Sequence, residues 1–213
     1  MKKTDVYVFD LDGILVDSMP YFERGMLSVA DDEGLKYNEQ TIKIITPLGY
    51  LRTAEYYIKE LGSKRSAEEM VEEFKRKLYY EYTNNIFLKP GVRSFLEKIR
   101  DAGARAFVLT ASPHLVTDAC LKKNGVFDIF EKVWSVDDFG LTKSGTKLFF
   151  EVARTIGCEP SEIHYFDDSL IALENATAAG LNTYGVYDRH TEEELDRIRN
   201  GLANRLLMSF EEL

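Results

Sequence analysis

The sequence is short of positive charge, of thiols and of long apolar runs, and each shortage argues against a class of protein. Lysine and arginine number 27 against 36 aspartates and glutamates, a net charge of −9 over 213 residues. A phosphate backbone is bound by clustered cations, so this balance argues against a nucleic-acid surface and equally against an anionic membrane as partner. The two cysteines, Cys120 and Cys158, stand far apart without metal-type spacing. No disulfide framework is expected, and a reducing compartment is. The first apolar run, in "MKKTDVYVFDLDG", breaks at Asp10 and is too short for a signal peptide or a membrane span. The expectation is a cytoplasmic protein, a monomer or weak homodimer, with no internal repeat and no low-complexity tract. The apolar share, 45%, is that of an ordinary globular chain.

What is present is an alternation. Short runs rich in β-branched and aromatic residues occur at 6–9 ("VYVF"), 104–110 ("ARAFVLT"), 132–136 ("KVWSV"), 162–166 ("EIHYF") and 182–187 ("NTYGVY"). Segments of helical periodicity fall between them at 91–103, 146–157 and 169–180. Strands alternating with helices predict a parallel sheet with crossover helices, a doubly wound α/β fold. Residues 19–86 break the rhythm. They hold no convincing strand, but amphipathic segments at 21–34, 51–62 and 66–82, the last opening on a Ser66/Glu69 capping box. The expected organisation is an α/β core of residues 1–18 and 87–213 with a helical domain, 19–86, inserted after the first strand.

In a doubly wound sheet, ligands bind outside the carboxyl ends of the strands. Asp10 and Asp12 follow the first strand, Thr110 and Ser112 the second, Lys143 the third by a few residues, and Asp167 and Asp168 the fourth. Four carboxylates in one crevice repel one another, and a bound cation is the usual remedy. A donor set of oxygens without His or Cys suits a hard ion, Mg²⁺ first, which takes a few carboxylates together with a substrate phosphate oxygen. Phosphoryl chemistry follows. One aspartate can act as nucleophile, a second carboxyl can move the proton, and an ammonium with a hydroxyl can hold the developing charge.

The motifs "DLDGIL", "VLTAS", "TKSGTKLFFEVARTIG" and "FDDSLIALENATAAG", in that order, resemble the four motifs of the haloacid dehalogenase superfamily. The resemblance is to its phosphatase branch, with an α-helical cap between motifs one and two. It implies a Rossmann-like core and an Mg²⁺-dependent phosphatase of a small phosphorylated metabolite, of phosphoglycolate or sugar-phosphate type, working through an aspartyl-phosphate. It makes Asp10 the nucleophile and a metal ligand, and Asp12 the general acid/base, with its backbone carbonyl on the metal. It places Thr110, Ala111 and Ser112 at the phosphoryl group, Lys143 beside the nucleophile, and Asp167 and Asp168 on the metal. Ile14 stands where many members have Thr, and Ser144 replaces the proline that commonly follows the lysine, which keeps Lys147, one turn onward, as an alternative. In "PLGYLR", Arg52 resembles the cap arginine that faces substrate; its other reading is a surface arginine.

Other residues have plainer readings. Ser18 and Ser112 read as helix N-caps, beside Pro20 and Pro113. His114 reads as a helix-start residue at the crevice, His164 as a packed strand residue and His190 as a loop residue. The "LYYEY" run at 78–82 reads as helical core and "EEFKRK" at 72–77 as a solvated face. A β-phosphoglucomutase-like phosphotransferase is the nearest rival, but Phe22 stands where such mutases carry a His. A dehalogenase would lack Asp12. A receiver-type phosphorylation switch would be shorter and would carry its phosphorylated Asp on the third strand. A catalytically idle phosphate-binding or interaction protein is the reading from another class.

Overall fold

The computed structural model describes residues 5–45, 48–199 and 205–213. They form two compact units, one of residues 1–17 and 87–213 and one of residues 18–86. Six described strands build the first: β1 (Val6–Phe9), β2 (Arg105–Thr110), β3 (Lys132–Ser135), β4 (Ile163–Asp167), β5 (Asn182–Val186) and β6 (Arg205–Leu207). The helices of seven residues or more are α1 (Met19–Glu33), α2 (Glu39–Ile45), α3 (Gly49–Glu60) and α4 (Ala67–Asn84) in the second unit. They are followed in the first by α5 (Val92–Asp101), α6 (His114–Lys123), α7 (Thr146–Ile156) and α8 (Leu170–Ala178). No described helix is long and apolar enough to cross a membrane.

The sheet is parallel throughout, in the order β3-β2-β1-β4-β5-β6. Strands covered on both faces read as near-continuous apolar runs, which is why β1, β2 and β4 stand out in the sequence. On one face Val6, Val8, Leu109, Trp134 and Tyr165 pack with Leu148, Phe149 and Val152 of α7 and Ala172 and Ala176 of α8. The other face is aromatic. Phe166 stacks on Phe9 and Tyr184 at centroid distances of 4.9 and 4.7 Å, and Phe95 of α5 meets Phe9 edge-on. The chain leaves β1 toward β2 on one side and β4 on the other, so β1 lies at the point where the strand order reverses. Register puts Phe9 beside Val108 and Phe166, so Asp10, Thr110 and Asp167 emerge at one edge.

β6 has no counterpart in the sequence reading, nor do α2 and α6 as whole helices; a three-residue strand is too short for its alternation to register. The third strand ends at Ser135, not 136, because the Ser135 hydroxyl accepts the Asp137 N–H and turns the chain into a 3₁₀ turn.

In the helical unit, α1, α3 and α4 bury Met26, Val29, Ala54, Tyr57, Met70, Phe74 and Leu78, and the Tyr57 hydroxyl donates to the Met26 carbonyl at 3.1 Å. The Ser66/Glu69 capping box forms in both directions. Within "LYYEY", Leu78 and Tyr82 turn inward while Tyr79 and Tyr80 are exposed, as a 3.6-residue period requires. The "EEFKRK" face carries Glu72–Lys75 and Glu73–Arg76 pairs, with Glu72, Lys75 and Arg76 exposed, Glu73 and Lys77 half-buried and Phe74 buried. Ser18 occupies the N-cap of α1, but its hydroxyl makes no capping bond and is buried without a partner among the described residues.

Candidate active site

The turn after β1 separates apolar from acidic residues. Leu11, Ile14, Leu15 and Val16 are fully buried, and Leu15 N–H bonds back to the Leu11 carbonyl, which anchors the turn from below. Asp10 and Asp12 are left at the strand edge. Gly13 adopts φ 74°, and a Cβ there would come within 2.7 Å of Asp168 Oδ2. Glycine is therefore what lets the first and fourth motifs approach each other.

Lys143 bridges two carboxylates. Its Nζ lies 2.8 Å from Asp10 Oδ1 and 2.9 Å from Asp167 Oδ2. Lys147 is exposed on α7, so Lys143 is the lysine of the third motif that reaches the cluster. Asp10 Oδ1 also accepts the Leu11 N–H at 2.8 Å. Thr110 is buried, and its hydroxyl oxygen accepts the Ser112 N–H at 3.0 Å, which leaves the Thr110 O–H free to donate. Ala111, in the bend between Thr110 and Ser112, is exposed. Ser112 is not the expected helix cap: Pro113 takes the N-cap position of α6, and the Ser112 hydroxyl donates to Asp12 Oδ2 at 2.6 Å.

Asp167 is wholly buried and well supplied with donors. The Ser169 N–H reaches its Oδ1 at 2.8 Å, and its Oδ2 accepts from Lys143 and from the Tyr165 hydroxyl. No described residue donates a hydrogen bond to the Asp168 carboxylate. Sequence reasoning missed Tyr165, although the period-two alternation of β4 places it on the face of Asp167. It also missed Lys89, whose ammonium holds the Gly13 and Tyr187 carbonyls and Asp188 at 2.7, 2.9 and 3.1 Å; no local pattern marks contacts so distant in sequence.

Electrostatically the site is short of a cation. Burial, outweighing Lys143 and aided by Asp167 and Asp12, pushes the Asp10 carboxyl up to about 7. Burial, then Asp167, Asp10 and Asp188, raises Asp168 well above the carboxylate range. Burial opposes the charge on Lys143, but Asp10 and Asp167 overcome it and hold the ammonium above the ordinary lysine value. Oxygens of Asp10, Asp167 and Asp168 lie within 4.8 Å of one another. Buried, oxygen-only and over-acidic, this cluster fits a hard divalent cation.

The histidines lie apart from this arrangement. His114 opens α6 with its ring against Asp138 (2.9 Å) and Asp118 (3.5 Å), and the Asp138 hydrogen bond raises its pKa. His164 stacks on Tyr7 within the sheet, and burial lowers its pKa. The His190 side chain lies outside the described residues, as does Pro47 of "PLGYLR". Arg52 is exposed in the first turn of α3 and forms no ion pair among the described residues.

The sequence model of haloacid dehalogenase-like hydrolases matches residues 7–186. YhcW of Bacillus subtilis is 25% identical over 175 residues, 82% of this chain and 79% of that one. A phosphorylated carbohydrates phosphatase of Thermotoga maritima is 24% identical over 186 residues, 85% of each chain. Among solved structures, CbbY of Rhodobacter sphaeroides in complex with phosphate superposes with a TM-score of 0.81 at 19% identity, covering 99% of this chain and 96% of that one. The chain belongs to the haloacid dehalogenase-like hydrolases. The family and the phosphatases among its relatives make it a phosphoric monoester hydrolase.

Proposed function

We propose that this protein is an Mg²⁺-dependent phosphatase of a small phosphorylated metabolite, of sugar-phosphate or phosphoglycolate type, acting through a phosphorylated Asp10. The observation that carries the reading is the buried cluster in which one ammonium, Lys143, spans Asp10 and Asp167 while Asp12 stands on a separate hydroxyl, Ser112. Two carboxyls in different surroundings can take two roles.

In this reading Asp10, Asp168 and the Asp12 carbonyl would hold Mg²⁺, with Asp167 on it directly or through a water, and the ion would supply the charge that offsets the carboxylates and the phosphate. Asp10 attacks phosphorus and the ester P–O bond breaks. Asp12 gives its proton to the departing oxygen. Asp12 then takes a proton from the water that attacks phosphorylated Asp10, which frees the carboxylate and inorganic phosphate. The Thr110 hydroxyl, the backbone at Ala111 and Ser112 hold the phosphoryl oxygens, and Lys143 keeps Asp10 oriented and the transferring charge balanced. Phe22, in place of the mutase His, supports water as acceptor. Residues 19–86 act as the cap, with Arg52 as a specificity contact.

The similarity to a phosphatase of phosphorylated carbohydrates supports the substrate class. The test is phosphate release from a panel of phosphorylated sugars, sugar alcohols and short hydroxy acids, with Mg²⁺ and with excess chelator. Turnover of one class only with the metal is the expected result. Full activity in chelator would falsify the metal requirement.

A further inference from the structure

A carboxylate has about four lone-pair positions, and a donor that occupies one denies it to a metal. The three aspartates of the cluster are occupied very differently. Asp168 receives no hydrogen bond from any described residue. Asp10 has both of its bonds on Oδ1, from Leu11 N–H and Lys143. Asp167 has three: Ser169 N–H on Oδ1, and Lys143 and the Tyr165 hydroxyl together on Oδ2. Both positions on Asp167 Oδ2 are taken, and one remains on Oδ1.

Tyr165 is fixed for this task. Its ring is fully buried and meets Phe149 of α7 edge-on at 5.2 Å, and Lys143 lies three residues before that helix begins. Tyr165 and Asp167 are two apart on β4 and so share a face, which aims the phenol along the strand at the carboxylate. Ring, helix and strand hold the hydroxyl where it gives its hydrogen bond to Asp167.

We propose that Tyr165 is a positioning residue that keeps Asp167 committed to Lys143, restricts Asp167 to a water-mediated contact with the bound cation, and thereby favours Mg²⁺ over Ca²⁺. Mg²⁺ prefers to keep several waters in a strict octahedron, whereas Ca²⁺ accepts six to eight oxygens in flexible arrangements and gains from an added carboxylate. With Asp167 held back, the cluster offers few direct carboxylate bonds, a Mg²⁺-like site. Without the phenol, an Oδ2 position opens and Asp167 can turn to bind directly, which rewards the larger ion. The inference rests on the reading of this cluster as a metal site.

The test is calorimetric titration of Mg²⁺ and Ca²⁺ into substrate-free wild type, Tyr165→Phe, Asp167→Asn and the double variant. Outer partners of metal ligands commonly tune affinity by roughly 10–100-fold, so Tyr165→Phe should shift the Ca²⁺/Mg²⁺ affinity ratio toward Ca²⁺ by about tenfold. The shift should vanish in the Asp167→Asn background, because Tyr165 acts through that carboxylate. A merely structural phenol would weaken both ions alike, and that result, or a shift that persists without Asp167, overturns the proposal. Tyr165→Met, which fills the space without a donor, should repeat the shift. Failure of both Tyr165 variants to fold would make the hydroxyl a stabilising group and would also overturn it. Wild type that binds neither ion removes the metal site itself, whereas normal Mg²⁺ binding with an unmoved ratio removes only the role of Tyr165.

Discussion

The two units use charge in opposite ways. In the helical unit, acids and bases pair in solvent: Lys75 and Glu72 meet at 2.7 Å with 52% and 73% of their side chains exposed. In the α/β unit, Lys143 meets Asp10 and Asp167 with 11%, 12% and 0% exposed. Exposed pairs of the first kind contribute about 0–1 kcal/mol, and any one of them can be lost cheaply. A buried ammonium among carboxylates is poor value for stability, because desolvation offsets the attraction. A chain that keeps such a cluster at the edge of its sheet keeps it for chemistry. The reaction should therefore belong to the α/β unit, and substrate choice to the helical one.

The sharpest break of that contrast is Asp10→Asn. Phosphate release should fall by at least on the order of 10³-fold on every substrate, with no phosphorylated protein formed. Lys143→Ala comes next, with a loss of about 10²–10³-fold on all substrates, against little change for the exposed Lys147→Ala. If the two lysines ranked the other way in steady-state assays, the bridging role of Lys143 would be wrong. Asp12→Asn should cost about 10²–10⁴-fold on alkyl phosphates and much less on aryl phosphates, whose leaving groups need no proton. Equal losses on both would count against its acid role.

Much of the α/β unit was legible in the sequence because its strands are buried on both faces and end abruptly in acid. The rule that ligands gather at the carboxyl ends of strands then assembled Asp10, Thr110 and Asp167 without a structure. What escaped depended on contacts that no local pattern encodes. Ser112 looked like a cap because a proline follows it, yet Pro113 itself takes that position and frees the hydroxyl for Asp12. Lys89 meets partners 76 to 99 residues away. In the helical unit the periodicity of α1, α3 and α4 was plain, while the seven-residue α2 was too short to declare itself.

A smaller effect separates the units by substrate. Arg52→Ala should lower kcat/KM about ten- to a hundredfold, roughly 1.5–3 kcal/mol, for a metabolite with an acidic or hydroxyl group beyond its phosphate. A simple aryl phosphate should be hydrolysed as before. Losses on both substrates would assign Arg52 to the common phosphate or to the fold.

The smallest effect is on stability. The folded-state pKa of Asp10, about 7, lies above its ordinary 3.8. Between those values the metal-free folded protein holds a proton that the unfolded chain has released. The contribution of Asp10 is thus full below about pH 4 and declines as pH rises toward 7. Thermal melts in chelator should give a lower Tm at pH 7 than at pH 5, and added Mg²⁺ should raise Tm more at pH 7. A Tm that climbs across this window in chelator, with an equal Mg²⁺ increment at both ends, would contradict the charge-starved cluster.

If Asp10 carries the phosphoryl group, the phosphorylated protein can be trapped during turnover. The protein is mixed with an aryl phosphate and Mg²⁺, quenched during turnover, reduced with borohydride and mapped by peptide mass. An acyl phosphate at Asp10 would be reduced to homoserine at position 10, with no such product in chelator or from Asp10→Asn. Steady phosphate release with Asp10 unmodified under the same trap would contradict the account.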